Sequence, residues 1–206
     1  MLIINKLRKL QDGKLITWNT PSLIVRFIER LIAENIGAIL ARDMNMFIPI
    51  LDNEWTIALV KNNSELQQVF HIFNENFKDD MERKHLQKLY QLFPHLFFIL
   101  RRNEKIVGYC IYKVVPTVLP ILKLERKACL FSLAIDHSFR GQDLAKTLLA
   151  ATLNYLKEQS ISSVYLFVHS SNEIAIQLYL SFGFKMHKIM VDVSLPGDEV
   201  WLMQTG

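Results

Sequence analysis

After the apolar run Leu133-Ala134-Ile135 the chain reads Asp136-His137-Ser138-Phe139-Arg140-Gly141-Gln142-Asp143-Leu144-Ala145 and then takes on helical spacing. A buried strand that empties through an Arg-Gly loop into a helix start exposes backbone N–H groups that no helix carbonyl reaches. They lie at the positive end of the helix dipole. Such a place can seat phosphates. Gly141 permits close approach of the backbone, and Ala145 keeps the helix start small. An Arg-Gly loop by itself is only a turn. The strand before it, the helix after it and a second motif downstream make it a binding candidate. That second motif runs Asn172-Glu173-Ile174-Ala175-Ile176-Gln177-Leu178-Tyr179 and closes on Phe182-Gly183-Phe184.

The elements that must position these residues can be read from hydrophobic periodicity. From Trp55 onward the pattern predicts a strand over Thr56–Val60, helices over Glu65–Phe77 and Met81–Leu92, and strands over Leu96–Arg101 and Ile106–Val115. Asn103-Glu104-Lys105 is a short polar turn that makes the last two strands a hairpin, and Pro116 and Pro120 are expected to break the chain after Val115. A strand over Ala128–Ile135, a helix over Asp143–Glu158, a strand over Val164–Val168 and a helix over Glu173–Ser181 come next. Strands near Phe184–Val193 and Val200–Gln204 end the chain. Before Trp55, Thr20-Pro21 reads as a helix cap and first turn. Leu23, Ile24, Phe27, Ile28, Leu31 and Ile32 continue an amphipathic helix to about Leu40. This helix could cover the core of its own domain, line a substrate site or form a homodimer contact. The division is therefore residues 1–54 as a partly helical N-terminal extension and residues 55–206 as the main domain. The fold class is α/β (α+β), with a mixed, mainly antiparallel sheet flanked by helices.

The loop and the downstream motif resemble the GNAT superfamily of acyl-CoA-dependent N-acetyltransferases. That family's pyrophosphate loop, [Gln/Arg]-x-x-Gly-x-[Gly/Ala], falls on Arg140-Gly141-Gln142-Asp143-Leu144-Ala145, and its second signature falls on Asn172, Ala175, Leu178-Tyr179 and Gly183-Phe184. The wording is similar to the RimI-like N-terminal alanine acetyltransferases of ribosomal proteins. The resemblance begins near Trp55 and is strongest over the last 80 residues or so. It implies the GNAT fold and acetyl-CoA as co-substrate. By resemblance, Leu133, Ala134 and Ile135 offer backbone to the pantetheine arm and Arg140 to Ala145 cradle the pyrophosphate. Asn172 starts a helix and hydrogen-bonds the arm, and Tyr179 hands a proton to the departing thiolate.

Two positions depart from that pattern. Asp143 puts a carboxylate where the family has glycine, so it either turns aside, free to cap the helix, or weakens cofactor binding. Its replacement by glycine is expected to tighten binding and to loosen the helix start. Phe167 stands where RimI-like enzymes carry a glutamate base, and the alternative family position falls near Cys129. The groups left to accept a proton are His169, His137 and Glu173. His169 comes first because it ends a strand beside the groove and imidazole titrates near neutrality. A lone surface histidine is the plainer reading of the same residue.

Composition bounds the remainder. At 206 residues, half of them hydrophobic, the chain suits one domain or one domain with an appendage. The longest run free of Asp, Glu, Lys and Arg, Gln159 to Asn172, is shorter than the roughly 18 apolar residues of a membrane span. No leader-like segment follows Lys6, Arg8 and Lys9, so a cytoplasmic location without membrane attachment is expected. The net charge of +4 is dispersed, which points away from nucleic acid and suits an anionic cofactor. Cys110 and Cys129 lack ligand spacing and are expected as buried core thiols, with neither disulfide nor metal site. The expected reaction is acetyl transfer to a primary amine by direct attack in a ternary complex, the acceptor being a protein N-terminus, a lysine or a small-molecule amine. The alternative is a catalytically impaired CoA-binding protein that senses cofactor or serves as an interaction module.

Overall fold

The computed structural model of the chain describes residues 10–11, 14–15, 54–76, 80–118, 124–161, 163–191 and 199–205. The helix expected from Thr20 to Leu40 lies outside the described residues. So does most of the 1–54 extension. The chain divides into two compact units, residues 1–33 with 163–206 and residues 34–162. In the first, β1 (Leu10–Gln11) pairs antiparallel with β2 (Lys14–Leu15).

The second unit holds β3 (Trp55–Leu59), α1 (Asn63–Asn76), α2 (Asp80–Leu92), β4 (Phe97–Arg102), β5 (Lys105–Val118), β6 (Leu124–Ile135) and α3 (Leu144–Glu158). The strands pair in the order β3-β4-β5-β6, each antiparallel to the next. Helix α1 begins two residues earlier than its periodicity alone predicts because Asn62 caps it. The Asn62 Oδ1 accepts the Glu65 N–H at 3.0 Å, and the Glu65 carboxylate accepts the Lys61 N–H at 2.7 Å. The hairpin between β4 and β5 forms as expected, Arg102 facing Lys105 across a turn whose Asn103 has a φ of 52°, a conformation that asparagine tolerates.

Residues 97–100 of β4 and 106–112 of β5 are buried without alternation, the mark of a sheet covered on both faces. Successive residues face opposite helices. Phe97 meets Tyr90 of α2 with ring centres 5.1 Å apart, while Phe98 meets Tyr155 of α3 at 5.1 Å. Likewise Tyr109 packs on Phe73 of α1, while Tyr112 shares a hydrogen bond of 2.9 Å with Thr152 of α3. Helix α3 turns Leu148, Leu149, Thr152, Tyr155 and Leu156 inward at helical spacing.

Pro116 does not end β5, contrary to expectation: it sits within the strand opposite Arg126, and β5 runs to Val118. Beyond Ile111, β5 pairs only with β6 and no longer with β4. Along such a one-sided stretch a missing N–H on the open side breaks no ladder bond. β6 correspondingly begins at Leu124, before the expected Ala128.

Within the first unit, β7 (Ser163–His169), α4 (Glu173–Ser181), β8 (Lys185–Val191) and β9 (Glu199–Gln204) complete the chain. β9 pairs antiparallel with both β7 and β8. Helix α4 has the expected bounds because both ends are specified. Asn172 Oδ1 accepts the Ala175 N–H at 3.2 Å, and Gly183, at a φ of 80°, stops the helix.

Thr152 is the buried polar link between α3 and the sheet. Its hydroxyl lies 2.9 Å from the Leu148 carbonyl and 2.9 Å from the Tyr112 hydroxyl. With one proton it can donate to the carbonyl and accept from the phenol. Thr152→Val keeps the shape and removes both bonds, so it is expected to destabilise the fold by about 1–2 kcal/mol, measured by denaturant unfolding. Unchanged stability would show that the link does not hold α3 to β5.

Candidate functional site

β6 reaches the candidate loop with a bulge in its middle. Ile111 faces Ser132 and Tyr112 faces Leu130, so Phe131 is the extra residue. The bulge turns Phe131 to the α2 side, where its ring lies 5.4 Å from that of His85. After it, Leu133, Ala134 and Ile135 pair with Cys110, Tyr109 and Gly108. Gly108 fits this close pairing, since a Cβ there would fall 2.4 Å from Ile135 Cδ1 and 3.1 Å from the Ala134 carbonyl oxygen, and both neighbours would have to give way.

The ladder continues one residue past the strand, the Asp136 N–H donating to the Val107 carbonyl at 2.8 Å. Asp136 then starts a turn of 3-10 helix over His137–Phe139 by accepting the Ser138 N–H at 2.9 Å, and its other oxygen lies 3.3 Å from Lys105 Nζ. Burial pushes the Asp136 carboxyl up, but the Ser138 N–H and the Lys105 ammonium outweigh it and hold the group below its ordinary value. Lys105 also lies 4.8 Å from the centre of the Phe139 ring, which meets Trp55 edge-on.

Arg140 turns back onto its own unit. Its Nε donates to the Ile135 carbonyl at 3.2 Å and its Nη2 to Asn76 Oδ1 at 2.6 Å. Gly141 has a φ of 75° and Asp143 a φ of 55°, both left-handed. Asp143 is the cap residue of α3, and its side chain makes no capping bond. The capping bond that this carboxylate was free to make is thus not made. The backbone takes the conformation for which glycine is best suited and aspartate is tolerated. Among the described residues, the N–H groups from Gly141 to Lys146 donate no hydrogen bond within the chain, and Thr147 is the first to reach back, to the Asp143 carbonyl at 3.0 Å. The backbone of Gln142, Leu144 and Ala145 lies within this run.

In the other unit, the Asn172 amide oxygen is used by the α4 cap, which leaves Nδ2 to donate. Tyr179 is half-buried, and its ring lies 5.7 Å from that of the buried Phe184. The Phe184 N–H donates to the Tyr179 carbonyl at 3.1 Å and the Gly183 N–H to the Leu180 carbonyl at 3.0 Å, the bond pair of a Schellman motif. His169 ends β7 half-buried, and its carbonyl accepts the Asn172 N–H at 3.0 Å. Phe167 lies edge-on to Tyr165. His137 and Glu173 are exposed. Cys110 and Cys129 are buried, as expected, and burial pushes the Cys110 thiol up to about 12, so it offers no thiolate near neutrality.

Sequence reasoning passed over Asp136, Lys105 and Asn76. Asp136 carried a readable signal, an Asp two residues before a Ser at a strand end. Lys105 and Asn76 carried none.

A strand whose end passes through a run of unclaimed N–H groups into a helix is the architecture of a protein that binds an anionic nucleotide cofactor. The pattern of the acetyltransferase (GNAT) family matches residues 66–184, and the chain belongs to that family. The [ribosomal protein bS18]-alanine N-acetyltransferase of Haemophilus ducreyi is 48% identical over 58 residues, 28% of this chain and 40% of that protein. The matched stretch thus spans less than half the length of that relative. The ribosomal-protein-S18-alanine N-acetyltransferase structure from Escherichia coli superposes with a TM-score of 0.60 at 24% identity, covering 73% of this chain and 92% of that one. Arabidopsis thaliana Naa50 in complex with a bisubstrate analogue, CoA-Ac-MVNAL, gives a TM-score of 0.61 at 16% identity, covering 74% and 99%. Both share the fold. Among the described residues no helix is long and apolar enough to cross a membrane.

The loop can be tested at two carboxylates. The folded Asp136 carboxyl is held below its ordinary value, so its contribution is present above the usual carboxylate range and is lost as pH falls through the lowered value. Asp136→Asn keeps the cap and removes the charge. It should melt lower than wild type at neutral pH, by about 1 kcal/mol, with the two curves converging in acid. Asp143→Gly relieves a left-handed aspartate, so its unliganded form should melt higher by about 0.5 kcal/mol, opposite to the loosening expected from the sequence. A lower melting temperature would show that the backbone at this position is not the determinant.

Proposed function

We propose that the chain is an N-acetyltransferase that moves acetyl from acetyl-CoA to a primary amine by direct attack in a ternary complex. The observation that carries this reading is the run of unclaimed N–H groups from Gly141 to Lys146 at the start of α3. A pyrophosphate is the ligand for which such a cluster is suited, and Asp143 is the one group in that run whose charge opposes it. Acetyl-CoA supplies an activated acyl group and a thiolate leaving group.

On this reading the backbone of Leu133, Ala134 and Ile135 holds the pantetheine arm, and the backbone from Arg140 to Ala145 holds the pyrophosphate. Asn172 donates from Nδ2 to the arm. The Tyr179 hydroxyl delivers a proton to the sulfur as the amide forms. His169 takes the proton from the amine, since Phe167 cannot. The acetyltransferase domain is residues 55–206, and the enzyme is cytoplasmic. The acceptor is an amine of a protein or peptide in the first instance: one relative is named for an alanine of ribosomal protein bS18, and Naa50 was crystallised with a CoA-linked peptide. Lysine and small-molecule amines are the other members of the class.

The test is calorimetric titration with acetyl-CoA together with thiol release on peptides and small amines. Tyr179→Phe should lower kcat by roughly 10² to 10⁴ and leave acetyl-CoA affinity nearly unchanged. A variant with wild-type kcat removes Tyr179 as the acid. Asp143→Gly should bind acetyl-CoA about fivefold more tightly through loss of the opposing charge. Binding without thiol release on any amine would select the sensor or interaction role, and absence of binding would overturn the cofactor site itself.

A further inference from the structure

Asn76 belongs to neither motif, yet it touches the candidate loop. It is the last residue of α1, and its two amide atoms face different partners. Nδ2 donates to the Ile72 carbonyl at 2.7 Å, closing the last turn of the helix, while Oδ1 accepts from Arg140 Nη2 at 2.6 Å. The same guanidinium donates through Nε to the carbonyl of Ile135, the last residue of β6. Arg140 is thus fixed at both ends of its fork between the strand before the loop and a helix 64 residues away in sequence. Directly after Arg140 come the left-handed Gly141, Gln142 and the left-handed Asp143, and then the unclaimed N–H groups. Such a stretch has no side-chain cap of its own: Asp143 makes none. The bond to Asn76 is one of the two side-chain ties that set where the stretch begins.

We propose that Asn76 is a positioning residue for the cofactor loop, holding Arg140 so that the N–H groups from Gly141 to Lys146 converge before ligand arrives. This rests on the reading of that loop as the acetyl-CoA pyrophosphate seat. Preorganisation of this kind acts on binding rather than on the chemical step, because donors already aimed need not be ordered at the ligand's expense. Two of the five guanidinium N–H donors are engaged by protein oxygens. Their role is to anchor the backbone that holds the phosphate.

The experiment separates this role from simple helix capping, because the two amide atoms can be removed independently. Asn76→Ala loses both bonds. It should raise the Kd and KM for acetyl-CoA roughly tenfold, as for loss of a hydrogen bond to a charged group, with kcat changed by less than about twofold. Asn76→Asp keeps an acceptor for Arg140 but cannot donate to the Ile72 carbonyl and sets a negative charge at a helix C-terminus. It should recover most of the affinity while its melting temperature stays below wild type. Adding Asn76→Ala to Arg140→Ala should cost little more affinity than Arg140→Ala alone, since the bond to Asn76 is already lost with the guanidinium. An Asn76→Ala protein with a lowered melting temperature and wild-type affinity would overturn the proposal and leave Asn76 as a cap. Additive losses for the two substitutions would do the same. If wild-type protein binds no acetyl-CoA, the cofactor reading falls and takes this inference with it; if wild type binds and Asn76→Ala binds equally well, only the inference falls.

Discussion

Two left-handed residues, Gly141 and Asp143, govern the rest of the candidate site, because through them a buried strand turns into a helix. A helix start always leaves N–H groups without carbonyl partners, and most proteins cover them with a side-chain cap. Here the cap position is occupied by a residue whose side chain does not reach back, so the donors stay available. The surroundings compensate for the absent cap. Asp136 extends the β5–β6 ladder into the loop, Lys105 neutralises that carboxylate, and Arg140 ties the turn to α1 and to the end of β6. The rigidity resides beside the donors rather than on them, as a binding site requires.

The second motif obeys the same logic. Its Asn, Gly and Phe are first of all the means of starting and stopping a short helix: Asn172 caps it, Gly183 supplies the left-handed residue, and Phe184 packs on Tyr179 across the Schellman turn. Those contacts also fix the ring of the tyrosine proposed to act as acid. One set of residues thus serves both the backbone and the chemistry proposed for it, which is why the motif reads clearly in sequence.

Legibility tracked the range of the interactions. The strand, loop and helix from Leu133 to Glu158, the polar hairpin turn at Asn103-Glu104 and both ends of α4 were readable, because each depends on residues a few positions apart. Continuation of β5 through Pro116 was not, since it depends on β4 no longer pairing beyond Ile111. The left-handed backbone at Asp143 was not legible because aspartate is both a common helix cap and a tolerated left-handed residue, and composition cannot separate the two. The Arg140–Asn76 bond joins residues 64 apart and leaves no trace in spacing. The general base was not legible for another reason: the position where resemblance places it is phenylalanine, and no nearby pattern replaces it.

Of the residues in α4 only Ile176 is buried, while Ile174 is 87% exposed. A helix of nine residues is far too short to persist by propensity, and beside Ile176 its inward contacts come from half-buried residues such as Leu178 and Tyr179. Its integrity therefore depends on its two ends, and ends fray before centres do. Amide protons of α4 should exchange with solvent through local opening well below the free energy of global unfolding, as an independently melting segment. The helix that presents Tyr179 is in this sense held by its ends, and a ligand that accepts from Asn172 Nδ2 would firm it.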